Sequence, residues 1–277
     1  VLTTTFYDLI PLTFYFPYMH ELYQRAYKQR LSQMRARGAV ALAISEHTKR
    51  DMIKYGVLPP GRIEVIMAGL NRSAEGAQGD PGAAEVVKKR LGISKPFFLH
   101  VGALDPHKNF ETTLKAFSAC SKEKACQLVV VGKMEDYIKA YADHVKLKGI
   151  KGVIFAGFLQ RQELEALYTE ARALVMMSHY EGFGFPVLEA MAHGCPVISS
   201  NTSSIPEVAG DAAILLPPSD VQGVTRAMRM MLTNAEKREE MQRKGIARAR
   251  LFTWEGTANR TLRVWEKLLQ TELNRRS

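Results

Sequence analysis

The chain has 277 residues, enough for one large domain or two modest ones, and its 46% hydrophobic and 24% charged residues, with no bilayer-length apolar run and no signal-peptide start, exclude a helical membrane protein and a disordered one. Three cysteines, Cys120, Cys126 and Cys195, are odd in number and lack metal-ligand spacing, which argues against a disulfide framework or zinc site and for a reducing cytoplasmic compartment. A net charge of +10 attracts anions; phosphorylated substrates, anionic lipid or a plainly solvated basic surface each account for it, whereas no nucleic-acid-binding signature accompanies it.

The first strand-like run is Val1–Thr5, which passes through Tyr7 and Asp8 into a loop with no initiator methionine before it. Residues 18–37 read as a helix in which Tyr23, Tyr27, Leu31 and Met34 form one apolar stripe and Arg25, Lys28, Arg35 and Arg37 a basic remainder. Docking on the domain core with a solvated basic face is the favoured reading. An acidic membrane surface, where each nearby cation contributes about 1 kcal/mol, is the alternative. A strand at Val40–Ser45 leads into a helix capped by Ser45, and a strand at Ile63–Met67 follows the turn at Pro59-Pro-Gly61. Three strands before residue 90 are too few for a doubly wound domain, so this part is expected to be an incomplete Rossmann-like domain. Residues 69–82, rich in Gly, Ala, Ser and Asn, are expected to be a linker, which divides the chain into 1–82 and 83–277.

Beyond the linker, strand-like runs at Phe97–Val101, Leu128–Val131, Val153–Ala156, Leu174–Met177, Val197–Ser200 and Ile214–Leu216 alternate with helical ones at Phe110–Cys120, Tyr137–Leu147, Glu163–Arg172, Val187–His193 and Val221–Leu232. Short continuous apolar strands separated by helices predict a parallel sheet covered on both faces, an α/β Rossmann-like domain. Two closing helices follow at about 235–251 and 254–273, the second with Leu262, Trp265 and Leu269 on one side.

Ligands of such sheets bind outside the carboxyl ends of the strands. Gly102 to Lys108 follows the domain's first strand, which places Lys108 to meet a diphosphate as a point charge. The run Ala173-Leu-Val-Met-Met177 ends in a loop holding Glu181, Gly182 and Gly184, and Pro186 suits the first position of a helix that stops at Gly194. This register leaves the amides of Val187 and Leu188 for an anion at the positive end of the helix dipole. Gly182 and Gly184 permit positive φ and close backbone approach to a ligand. Glu181 before the helix and Glu189 inside it are expected to face one cleft, a phosphate pocket flanked by acceptors for hydroxyl groups, which suits a sugar nucleotide.

Two glutamates separated by seven residues, with Gly-Phe-Gly-Phe-Pro between them, resemble the signature of family-four retaining glycosyltransferases of the GT-B fold. Further similar runs are Val101-Gly-Ala-Leu-Asp-Pro-His-Lys108-Asn, Phe155-Ala-Gly157-Phe-Leu-Gln-Arg-Gln-Glu-Leu and Ser203-Ser-Ile-Pro-Glu-Val-Ala-Gly-Asp-Ala-Ala213. The resemblance covers nearly the whole chain and implies two Rossmann-like domains, the N-terminal one incomplete by roughly a hundred residues, a size ordinary for half a domain pair. It implies a C-terminal helix that crosses back to brace the first domain.

The resemblance also implies site roles. Glu181 and Lys108 are the catalytic candidates, with Gly102, Lys108, Gly182, Phe183, Gly184, Phe185, Val187 and Leu188 around the donor sugar and phosphates. Glu189 takes the ribose, and Phe158 and Leu159 the base through backbone groups, although a turn packing Phe158 into the core fits the residues equally. Tyr7 and Asp8 lie on the acceptor side, Tyr7 where the family has a histidine. Ala103 stands where the family usually has arginine, and whether His107 takes over that charge is open. No Asp-x-Asp carboxylate pair is present, so no metal cofactor is expected: Lys108 and the helix start would stabilise the departing diphosphate. The implied co-substrate is GDP-mannose or another nucleotide sugar, and the implied acceptor a glycan or polyprenyl-linked glycan of the cell surface. The implied setting is cytoplasmic, with peripheral contact at the inner membrane face left open.

Two other classes fit parts of the pattern. A glycoside hydrolase could use Glu181 and Glu189 as its carboxylate pair, but hydrolysis needs no nucleotide pocket. A non-catalytic nucleotide-binding module is the third, although the loop Gly102-Ala-Leu-Asp-Pro-His lacks the Gly-x-Gly-x-x-Gly fingerprint.

Overall fold

In the computed structural model, which describes residues 2–13, 21–70, 81–132 and 135–276, the chain divides into two units. The first comprises Val1–Asn71, Tyr180–Phe183 and Phe252–Ser277. Its strands β1 (Thr3–Phe6), β2 (Val40–Ala43) and β3 (Ile63–Val65) form a parallel sheet in that order, joined by helices α1 (Ile10–Thr13), α2 (Glu21–Ala36) and α3 (Glu46–Lys54). Phe6, Leu9, Ala41, Ala43, Met52, Val57, Leu58 and Ile63 make its core, and Tyr27, Leu31 and Met34 of α2 pack against it. The apolar stripe of α2 therefore faces protein, while Arg25, Lys28, Arg35 and Arg37 are exposed. The start of that predicted helix, residues 18–20, lies outside the described residues, as does the side chain of Tyr23.

Ser45 shows how sequence sets local structure here. It has extended backbone, φ −151 and ψ 157, and its Oγ accepts from the Thr48 amide at 3.0 Å, capping α3. The same hydroxyl donates to the Gly182 carbonyl at 2.7 Å, with Thr48 Oγ1 a second donor at 3.3 Å. One side chain thus satisfies an orphan helix amide and anchors a segment more than a hundred residues away. Ser45→Ala should lower the unfolding free energy by about 1–2 kcal/mol in urea titration, since a cap and a buried bond are lost together. A change below about 0.5 kcal/mol, the size of an ordinary surface substitution, would show that Thr48 carries the anchor alone.

The closing helix Trp254–Arg276 belongs to this first unit. Thr257 donates to Met67 O at 2.6 Å, Arg260 to Ile66 O at 3.3 Å, Lys267 pairs with Glu64 at 3.1 Å and Trp265 Nε1 donates to Thr3 Oγ1 at 3.3 Å. Its apolar stripe does not seat it: Leu262, Trp265 and Leu269 are 50%, 44% and 60% exposed. Residues 180–183 pack with the first unit, although the boundary read from sequence put them in the second, and residues 252–277 do so in the way the crossing-back helix of the resembled family implies. Gly69 and Leu70 are not linker either. Gly69 lies against the Thr253–Trp254 backbone and Leu70 bridges to Thr253, its amide donating to Phe252 O at 2.9 Å. Residues 71–80 of the predicted linker lie outside the described residues.

The second unit is Arg72–His179 with Gly184–Leu251. In chain order it contains α4 (Pro81–Leu91), β4 (Phe97–Val101), α5 (Phe110–Ser121), β5 (Gln127–Val131), α6 (Glu135–Leu147), β6 (Val153–Gly157), α7 (Arg161–Glu170) and β7 (Ala173–Met176). Then come α8 (Phe185–Ala192), β8 (Val197–Ser200), α9 (Ile205–Ala209), β9 (Ile214–Leu216), α10 (Val221–Thr233) and α11 (Ala235–Ala249). All six strands are parallel, in the order β6-β5-β4-β7-β8-β9. Every residue of β4, β5, β7 and β8 is buried, as a sheet covered on both faces requires. Several helices depart from expectation: α9 was not anticipated, α6 starts at Glu135 rather than Tyr137, and α4 and α7 differ as follows. α4 occupies the end of the predicted linker and residues to which the sequence assigned no element, opening at Pro81, whose fixed φ suits a helix start. α7 begins at Arg161 rather than Glu163, because the Glu163 carboxylate reaches back to the Gln160 amide at 2.9 Å and closes an earlier turn.

Candidate functional site

The strand order reverses between β4 and β7, the switch point outside whose carboxyl ends ligands of such sheets bind. The loop after β4 forms one wall. Gly102 takes φ 139, and its amide donates to Val131 O at 2.9 Å. A Cβ at Gly132, in the loop after β5, would collide with the Gly102 carbonyl, so the two loops stack only because residue 132 has no side chain. Pro106–Lys108 is a single 3-10 turn closed by Lys108 N donating to Asp105 O at 2.9 Å. Asn109 follows in the left-handed region, φ 50 and ψ 46, which asparagine tolerates better than most residues. Its Nδ2 donates to Met177 O at 2.8 Å and Pro218 O at 2.9 Å, while Thr112 Oγ1 donates to its Oδ1 at 3.1 Å. The His179 amide donates to His107 O at 2.8 Å. Lys108 therefore stands on a turn tied to the loops after β7 and β9.

The Lys108 side chain folds back over Gly102, its Cε 3.9 Å from where a Gly102 Cβ would lie. Beneath, His100 is fully buried with Nδ1 paired to Val175 O at 3.0 Å. Burial, aided by the Lys108 charge, pushes its pKa down to about 4, so its imidazole is neutral at pH 7 and the cation there is Lys108. His107, the candidate replacement for the family arginine, has its side chain 5% exposed and is packed within the loop.

The helix after β7 starts one residue earlier than predicted, and this changes its chemistry. Gly184 is the N-cap, in a left-handed conformation with φ 102, and Phe185 is the first helical residue. Both the Val187 and Leu188 amides donate to the Gly184 carbonyl, at 3.0 and 3.2 Å. They are not available to an anion, contrary to expectation, because the shifted register places them where the first turn closes. The side chains of Val187 and Leu188 are fully buried, and Phe185 is half-buried. The positive φ expected of Gly184 is present. Gly182 differs: what approaches it closely is the Tyr7 carbonyl, with Asp8 Cβ 2.7 Å from where its own Cβ would stand, so the absent side chain serves packing within the first unit.

The segment Tyr180–Phe183 belongs with that first unit. Tyr180 donates its hydroxyl to Asp51 at 2.6 Å, its pKa raised by burial and by that carboxylate. Phe183 is 2% exposed and packs edge-on against Phe252 at 5.9 Å, so it is a core residue rather than a donor contact. Glu181 is buried, 5% exposed, in the same segment. Tyr7 is 58% exposed, and the Asp8 carboxylate accepts from the Ile10 amide at 2.9 Å, starting α1.

Glu189, half-buried on α8, lies in the second unit with Lys108. Tyr168 of α7 donates its hydroxyl to Glu189 Oε2 at 3.2 Å. Burial raises the Glu189 pKa, opposed by that bond and by Arg161 and reinforced by Glu165. After β6, Gly157 takes φ 67 and its carbonyl accepts from the Gly132 amide at 2.9 Å. Phe158 is 60% exposed while Leu159 is 5% exposed, so it is Leu159, not Phe158, that packs inward.

Sequence reading missed Gly132, Asn109 and Tyr168. The asparagine directly after the turn carried a signal, since Asn is the residue type that enters the left-handed region there. A tyrosine on a helix carried none. Among the described residues no group of three or more His, Cys, Asp or Glu side chains is gathered for a metal ion, and no helix is long and apolar enough to cross a membrane.

Residues 84–248 match the family described as glycosyl transferases group 1. The chain is 27% identical to the O-antigen chain mannosyltransferase B of Escherichia coli, over 96% of its own length and 70% of that protein. It is 28% identical to the serotype-specific mannosyltransferase WbdA of Escherichia coli, again over 96% of its length but spanning only 33% of that protein. Identity to the O-antigen chain mannosyltransferase RfbU of Salmonella typhimurium is 30%, over 79% of this chain and 57% of the other. Among solved structures, Anabaena Alr3699/HepE in complex with UDP and glucose is similar with a TM-score of 0.80 at 19% identity, covering 97% of this chain and 71% of that one. Sucrose-phosphate synthase from Thermosynechococcus elongatus has a TM-score of 0.79 at 21% identity, covering 97% and 68%. At these identities the structural likeness is one of fold, that of the GT-B glycosyltransferases.

Proposed function

The chain belongs to the glycosyl transferases group 1 family, and from that premise we propose that it transfers mannose from GDP-mannose to a glycan or polyprenyl-linked acceptor in cell-surface polysaccharide synthesis. The observation that carries this reading is Lys108, a cation on a braced turn at the switch point of the six-stranded sheet. A fixed positive charge there stabilises negative charge as it develops on a departing diphosphate, without reorganisation during the step. No metal is required in this scheme. Glu189 accepts from the ribose hydroxyls, and the backbone around Gly157–Leu159 takes the base. The role of Glu181, holding hydroxyls of the donor sugar, is proposed from its place in the sequence motif alone.

The reaction retains anomeric configuration in this reading. The acceptor hydroxyl attacks from the face the diphosphate leaves, and its proton passes to a donor phosphate oxygen. Mannose is favoured by the named activities of similar proteins, the O-antigen chain mannosyltransferases. We assign the reaction to the cytoplasm, with the basic charge of +10 suited to an acidic membrane surface that presents a lipid-linked acceptor. The hydrolase reading has nothing comparable in its favour, because Lys108 and the Tyr168–Glu189 hydrogen bond serve no step of glycoside cleavage.

The test is nucleotide binding. GDP at a hundred times its dissociation constant should stabilise the protein by about 2.7 kcal/mol, read as a rise in melting temperature, with UDP and dTDP as comparisons. If none of the three binds at millimolar concentration in calorimetry, the donor assignment fails; a preference for UDP or dTDP would replace the sugar nucleotide and keep the reaction.

A further inference from the structure

Behind Glu189 lies an aromatic arrangement that the proposed reaction does not by itself account for. Tyr168 is 1% exposed, and its hydroxyl reaches one carboxylate oxygen of Glu189, Oε2, at 3.2 Å. Its ring stacks on His193, with centroids 5.7 Å apart and planes 20° from parallel. His193 is held in turn, Nδ1 lying 2.9 Å from the Glu189 backbone carbonyl. A carbonyl only accepts, so Nδ1 carries the hydrogen. The imidazole is a rigid plate fixed to the helix that carries Glu189, and Tyr168 is clamped against it from the neighbouring helix.

A vicinal diol is recognised best by a carboxylate whose rotamer is already set, since fixing a flexible glutamate on binding costs affinity. Resting on the reading that Glu189 takes the ribose, we propose that Tyr168 is a positioning residue: by holding Oε2 it fixes the Glu189 rotamer and presents Oε1 to the ribose hydroxyls. The surrounding charges make the tyrosine bond useful as well as geometric. Burial and Glu165 disfavour the carboxylate, while Tyr168 and Arg161 favour it. Tyr168 itself stays protonated, its pKa raised well above the usual value by burial first and then by Glu189 and Cys195, so it remains a donor at any working pH.

Tyr168→Phe keeps the ring and its stack on His193 and removes only the donor. Loss of one hydrogen bond to a charged group, about 1.5 kcal/mol, predicts GDP binding about tenfold weaker. In a Glu189→Gln background the same substitution should change GDP affinity less than twofold, because the bond it removes no longer serves a carboxylate. Removing a donor to the charged form also moves the Glu189 titration to higher pH, seen by carboxyl carbon NMR without ligand. Affinity in Tyr168→Phe is then lost at a higher pH as acid is added.

An equal loss in both backgrounds, or a Glu189 titration unmoved by Tyr168→Phe, overturns the proposal and leaves Tyr168 as packing. Failure of the wild type to bind GDP, UDP or dTDP sinks the donor reading instead, and the NMR titration still decides whether Tyr168 governs Glu189.

Discussion

Lys108→Ala is expected to lower kcat/KM with GDP-mannose about 10²–10³-fold, the loss seen when one preorganised donor to developing negative charge is removed. Most of it should fall on kcat, because the charge on the leaving diphosphate is greatest in the transition state and only interactions stronger there than in the ground state speed the step. The fold should be unaffected. The turn that carries Lys108 is closed by backbone, Lys108 N to Asp105 O, and braced by Asn109 and by the His179 amide. None of those bonds uses the lysine side chain, so the turn itself should keep its backbone shape in the variant. Steady-state kinetics beside thermal unfolding checks both parts. A loss under about fivefold would place charge stabilisation elsewhere on the sheet edge and remove the central support for the proposed function.

Gly182→Ala is expected to destabilise the protein by about 3 kcal/mol or more, the upper range for forcing atoms into a packed site. A Cβ at this position would overlap the Tyr7 carbonyl and come within 2.7 Å of Asp8 Cβ. Neither is the far end of a flexible side chain that can swing aside. The carbonyl of Gly182 is meanwhile tied to Ser45 and Thr48, so the segment cannot drift to relieve the clash without losing those bonds. Gly184→Ala makes an informative partner. There the obstacle is Ile205 Cδ1 at 2.6 Å, a methyl that can move, and the remaining cost is backbone strain at φ 102, of order 1–3 kcal/mol. Urea unfolding of the two variants should therefore rank Gly182→Ala as the more damaging. The opposite ranking would mean that positive φ, not close packing, is the reason for glycine in this motif.

The contrast between the two glycines shows how far residue types can be read. Gly184 was legible: a glycine before a proline-started helix implies an unusual backbone conformation, and it takes φ 102. Gly182 was read in the same way, as free for positive φ and close to a ligand, but it is not among the positive-φ glycines and its close approach is to protein. Its neighbour is the carbonyl of Tyr7, 175 residues away, which no local pattern names. The same limit separates strands from helix starts. β4 and β8 lie where the apolar runs are, because a strand buried on both faces is marked by each of its own residues. α8 began one residue early, since its register depends on a left-handed N-cap whose carbonyl closes the first turn, and that removed the Val187 and Leu188 amides from the expected anion pocket.

Composition, alternation and motif spacing by themselves determined the α/β class, the placing of Lys108 beyond the carboxyl end of β4, and the likeness to a glycosyltransferase family. These depend on the polarity and conformational range of residues near one another in the chain. Tertiary structure alone decided that Asn109 braces the Lys108 turn, that Tyr168 holds Glu189, and that residues 180–183 pack with the first unit. Each of these is a contact between distant segments. Its energy comes from burial and hydrogen bonding that exist only once the chain has folded, so it leaves no periodicity to read.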